Sequence, residues 1–69
     1  MVEVFKTNVR NTRKAKLVIQ KLAKEFPAHK INFDLDDCDK VLRVEGKDFV
    51  TEKVIILVKE NGFQCRILD

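Results

Sequence analysis

The residues of this chain able to do chemistry fall in four places. Cys38 lies among Asp36, Asp37 and Asp39, Cys65 stands near the end, and His29 is the sole histidine. The stretch TNVRNTRK, residues 7–14, carries Arg10, Arg13 and Lys14 without a carboxylate. Each place implies a different chemistry. A thiol beside carboxylates could hold a metal, but one soft donor among hard ones is neither a thiolate pair nor a zinc cluster. Read as a calcium loop, Asp34 to Glu45 puts Asp39 where the sharp turn wants glycine. Asp36 and Cys38 are therefore the alternative metal candidates, against a plain solvated acidic turn. His29 has no nucleophile or second histidine near it in sequence and reads as a loop residue. No Gly-rich phosphate loop and no nucleophile signature is present, so the chain does not read as an enzyme. No cofactor is expected.

The cations of residues 7–14 suit docking to an acidic surface or, as the alternative, binding of a small anion or metabolite by Arg10 and Arg13, if they surround a helix start, where free N–H groups and the helix dipole favour negative charge. The elements that position them follow from periodicity. Val2-Glu3-Val4-Phe5-Lys6 reads as a strand ending near Thr7. Ala15, Val18, Ile19, Leu22 and Phe26 then mark one face of a helix whose remaining circumference carries Lys14, Lys16, Lys21 and Lys24. Asn11 or Thr12 can cap it, and Pro27 lies past its end. Ile31, Phe33 and Leu35 alternate in a second strand, the Asp36 to Asp39 cluster turns the chain, and Val41 to Glu45 form a third strand before Gly46.

Val54 to Val58 is a β-branched run, and local propensity there favours a strand. Against it, Thr51-Glu52-Lys53 is a plausible helix start, Gly62 suits a left-handed cap, and Val50, Val54, Leu57, Val58 and Asn61 keep helical spacing. The spacing and the cap predict a helix. Phe63 to Ile67 closes the chain as a strand. The β-α-β-β-α-β order predicts an α+β, ferredoxin-like two-layer sandwich: two helices on one face of a four-stranded antiparallel sheet, with the first and third strands inside. In that topology residues 7–14, the Asp36 to Asp39 turn and the Asn61-Gly62-Phe63 turn meet at one end, and His29 lies at the other. The helices are expected to cover Ile31, Phe33, Leu35, Leu42, Val44, Phe63, Cys65 and Ile67. The open face is expected to show Glu3, Phe5, Val41, Arg43, Glu45, Gln64 and Arg66.

With this order over the whole chain, the Ala15, Val18, Leu22 face and the Asn61-Gly62-Phe63 turn, the sequence resembles the heavy-metal-associated domain. That is the ferredoxin-like module of copper chaperones and of the N-terminal regions of metal-pumping ATPases. In that family the loop after the first strand holds a soft metal between two cysteines with two residues between them. Those positions fall here on Arg10 and Arg13 or, one residue later, on Asn11 and Lys14. Guanidinium and ammonium groups have no lone pair to give, so the resemblance keeps the fold and removes the thiolate chemistry. Metallochaperones of this kind dock an acidic partner through a basic face of the same helix. The resemblance thus implies an acidic protein surface as partner for Arg10, Arg13, Lys14 and Lys21, against the plain alternative of a solvated cationic helix. The sharpest local version pairs the acidic turn with Arg10 or Arg13.

Size and composition bound the rest. Sixty-nine residues, 45% hydrophobic and 36% charged, describe one small globular domain, and a net charge of +3 is too mild and dispersed for a nucleic-acid footprint. One phenylalanine on the expected open face is no stacking platform for RNA. No apolar run approaches the roughly 20 residues of a membrane helix. The start MVEVFKTN lacks a basic segment leading into an apolar core, and a cytoplasmic protein is expected, with no disulfide between Cys38 and Cys65. The edge strands leave room for a monomer or a weak homo-oligomer.

Overall fold

A computed structural model describes residues 1–68. It contains strand β1 (Val2–Thr7), helix α1 (Thr12–Glu25), strands β2 (Lys30–Asp34) and β3 (Val41–Glu45), helix α2 (Thr51–Glu60) and strand β4 (Cys65–Ile67). The strands form one antiparallel sheet in the order β2-β3-β1-β4. This is the ferredoxin-like α+β arrangement, with β1 and β3 inside. No helix among the described residues is long and apolar enough to cross a membrane.

Each helix has local causes. Asn11 caps α1, its Oδ1 accepting the Lys14 N–H at 2.9 Å, and Ala15, Val18 and Leu22 are buried along one stripe. In the β-branched run of α2, Val54 and Val58 are fully buried while Ile56 between them is exposed, which fits helical spacing, whereas a strand would put all three on one face. Gly62, at φ +91°, ends that helix. Its N–H donates to the Lys59 carbonyl at 2.9 Å and the Phe63 N–H to that of Val58 at 3.3 Å, the paired bonds of a Schellman cap.

The strand faces depart from expectation at β1. Phe5 is fully buried under the helices, not on the open face. In the register Phe5 lies opposite Leu42, so Glu3, Phe5 and Thr7 share the helix-side face, and Val2, Val4 and Lys6 take the open one. The alternation of VEVFK places an apolar residue on both faces, and one phenylalanine outweighs the smaller valines when only one face is covered. Val41 does lie on the open face, between Lys6 and Asp34 in the register, yet it is buried. Ile67, on the Phe5 side, is 41% exposed at the end of the short outer strand. That strand begins at Cys65 instead of Phe63, because Phe63 completes the cap of α2 and Gln64 donates its N–H to Asn8 Oδ1 at 2.7 Å.

The end of the fold bearing His29 holds more structure than a loop residue implies. The His29 ring stands edge-on to Phe26 and Phe49, with centroids 5.5 and 5.4 Å away, and its Nε2 is 3.0 Å from the Asp48 carbonyl. A carbonyl only accepts, so Nε2 carries the proton and the buried, unpartnered Nδ1 is the lone-pair nitrogen. Gly46 gives this ring its space, since a Cβ there would lie 1.9 Å from His29 Cδ2. Gly46→Ala is expected to cost about 1–3 kcal/mol by displacing the ring from both phenylalanines. Urea denaturation checks this, and in a His29→Ala background the same substitution should cost far less.

Candidate functional site

The predicted end of the fold is assembled, and its fastenings are polar groups of the loop between β1 and α1. Thr7, only 6% exposed, donates its hydroxyl to the Lys40 carbonyl at 2.6 Å and accepts the Val9 N–H at 3.2 Å. Its own N–H reaches the Asp39 carbonyl at 3.1 Å. Asn8 binds the chain entering β4, as described above. Val9, the sole apolar residue of TNVRNTRK, is fully buried and pegs the loop into the core. The loop is thereby tied to the acidic turn on one side and to the α2–β4 turn on the other.

On this frame Arg10, Arg13, Lys14 and Lys21 are all exposed. The first turn of α1 contains no acidic residue. The one side-chain ion pair among the described residues joins Lys6 Nζ to Asp39 Oδ1 at 3.4 Å, so the acidic turn is paired through Lys6 and not through Arg10 or Arg13. The cations around the helix start therefore face solvent against the dipole, an arrangement that an anionic partner would relieve.

Beside them runs an open groove of about 330 Å³, lined by Lys14, Leu17, Val18, Asn61, Gly62 and Phe63. Lys14 Nζ sits 6.0 Å from the centre of the Phe63 ring. Leu17 is 54% exposed at its lip. Lys14, Leu17 and Lys21 follow one another at three- and four-residue steps and so share a face of α1. Charge and apolar surface thus adjoin along the side of α1 next to the α2–β4 turn.

The acidic turn is a closed structure of its own. Asp37 Oδ1 accepts the Asp39 N–H at 2.8 Å, and Lys40, at φ +48°, sends its Nζ back to the Leu35 carbonyl at 2.9 Å. Ligand atoms of Asp37, Cys38 and Asp39 lie within 4.8 Å of one another, and Asp36 is not part of that group. Cys38 is exposed, whereas Cys65 is buried opposite Thr7 in the sheet. Burial pushes the Cys65 thiol up to about 11, only partly offset by the nearby Lys59 charge. It stays protonated near neutral pH and offers no thiolate.

The four basic positions thus come together at one end and along one helix face. Thr7, Asn8, Val9 and Leu17 complete the site without having been picked out by sequence. The lone valine inside a polar run was the signal available for Val9. Leu17 falls outside the buried stripe of α1 and carried no signal. Comparison of the chain with protein-family models, curated proteins and solved structures gives no match.

Proposed function

We propose that this chain is a non-catalytic cytoplasmic interaction module. It is built on the heavy-metal-associated plan without the thiolate pair, and it docks an acidic protein segment on the α1 face. The observation that carries this reading is the set of four cations, Arg10, Arg13, Lys14 and Lys21, exposed on a rigidly anchored frame without a carboxylate partner among the described residues. The groove at Leu17 and Phe63 adds an apolar seat, so the fitting partner carries carboxylates flanking an apolar side chain. Opposite charge would steer the encounter, and the apolar seat would hold the complex.

A short oligoglutamate peptide with one central leucine serves as probe. Arg13→Glu combined with Lys14→Glu is expected to weaken its binding about tenfold, and added salt should weaken the native complex further, because exposed charges are screened within a Debye length of roughly 10 Å at 0.1 M. Lys47→Glu, at the far end of β3, should leave binding unchanged. Titration calorimetry at two salt concentrations reads all three, and equal binding by the double variant would reject the reading. A divergent metal site is favoured by one observation alone, the proximity of Asp37, Cys38 and Asp39. It requires that Cys38→Ser abolish a stoichiometric Zn(II) response.

A further inference from the structure

The two outer strands of the sheet differ in what they offer a second copy of the chain. Ladder parity decides which backbone groups of β2 are free. Gly46 donates its N–H to the Met1 carbonyl at 2.9 Å, so the even-numbered residues of β3 turn their backbone groups toward β1. Val41, Arg43 and Glu45 consequently turn theirs toward β2, where their register partners are Asp34, Asn32 and Lys30. Ile31 and Phe33 are left with N–H and C=O groups aimed out of the sheet. The same reasoning applies to β4. Leu68 donates to the Val4 carbonyl at 2.9 Å, so Arg66 faces β1, and Cys65 and Ile67 aim outward.

We propose that β2 pairs with β2 of a second copy, antiparallel about a two-fold axis through Asn32, joining two sheets into one. In that register Ile31 of each copy exchanges both backbone bonds with Phe33 of the other. Lys30 then stands opposite Asp34 of the second copy, twice over by symmetry, and Asn32 stands opposite itself. These three fall at the positions without backbone bonds, where opposed Cα atoms approach to about 4.5 Å and side chains are closest. The sequence KINFD is thus charge-complementary to its own reverse.

Other registers are poorer. An axis at Asp34 sets that carboxylate against itself, and one at Phe33 calls on Leu35, which lies beyond the end of β2 and whose carbonyl already accepts from Lys40 Nζ. The β4 edge is self-repelling, because its symmetric pairing would oppose Arg66 to Arg66. The half-buried Ile31 and Phe33 supply the apolar contact, and a groove of about 440 Å³ between α1 and β2, lined in part by Ala15, Ile19 and Phe33, opens along this edge. Two five-residue edges make a small contact, below the roughly 1,200 Å² of a standard interface, so the association is weak and concentration-dependent.

Sedimentation of the whole chain from micromolar to millimolar concentration tests the pairing. The native protein should shift from monomer to dimer across that range. Lys30→Asp and Asp34→Lys, both at exposed positions, should each weaken association about tenfold or more by opposing like charges. An equimolar mixture of the two variants should restore it, since the cationic strand of one then faces the anionic strand of the other. A native protein that stays monomeric at millimolar concentration overturns the proposal. So does undiminished association of the single variants, or a mixture no tighter than either alone.

Discussion

Phe5→Ala is expected to remove about 3–5 kcal/mol of folding stability, the usual cost of emptying a fully buried aromatic site. Phe5 is 0% exposed and lies between Leu42 and Ile67 in the register, under the helix layer. Its ring joins the inner strands to the core cluster that contains Val18, Leu22, Val54 and Val58. Small domains hold only about 5–15 kcal/mol in total, so this one change should remove a large share of the stability of so short a chain. Val4→Ala, the neighbouring change on the open face, should cost about 1 kcal/mol or less. Chemical denaturation of the two variants measures which face of β1 is buried. A reversed order of costs would place Phe5 on the open face and undo the register.

Thr7→Val is the second large effect, expected at about 2–4 kcal/mol although the two side chains have nearly the same shape. The hydroxyl satisfies the Lys40 carbonyl and the Val9 N–H together, and valine would leave both backbone groups unpaired in a region where Thr7 and Val9 are buried. An unpaired buried polar group costs about 1–3 kcal/mol. The loss is also local. Releasing Val9 should loosen the loop that presents Arg10, so amide exchange at residues 9–11 should accelerate more than in the core strands. Thr7→Ser keeps the hydroxyl and should recover most of the stability. Denaturant midpoints and hydrogen exchange separate the two variants.

The element order and topology were legible in the sequence because period and punctuation agreed almost everywhere. Residues of α1 repeat at helical spacing between a capping Asn11 and Pro27, and KINFD alternates strictly. At α2 the local preference of Val54 to Val58 for strand lost to Gly62 and to helical spacing, and the Schellman bonds give the reason. The face of β1 was misread because VEVFK puts apolar residues on both sides, so alternation alone does not say which side is covered. Only the cross-strand register with Leu42 decides it.

At the candidate site the charges were legible and their fastenings were not. Arg10, Arg13, Lys14 and Lys21 stand out by type. Thr7 and Asn8 act through hydrogen bonds to Lys40, 33 positions away, and Gln64, 56 positions away, and no local pattern encodes such partners. His29 was similarly opaque, since its packing depends on Phe49 and on the empty space at Gly46.

The central claim is that the α1 face, and not the acidic turn, receives the partner. Backbone amide NMR spectra, titrated separately with the leucine-containing oligoglutamate peptide, Zn(II) and inorganic phosphate, test it most directly. The account predicts saturable peptide-induced shifts at residues 10–14, 17, 21 and 61–63, with little response to phosphate alone. Stoichiometric Zn(II) shifts confined to residues 36–39, with no peptide response on α1, would contradict it.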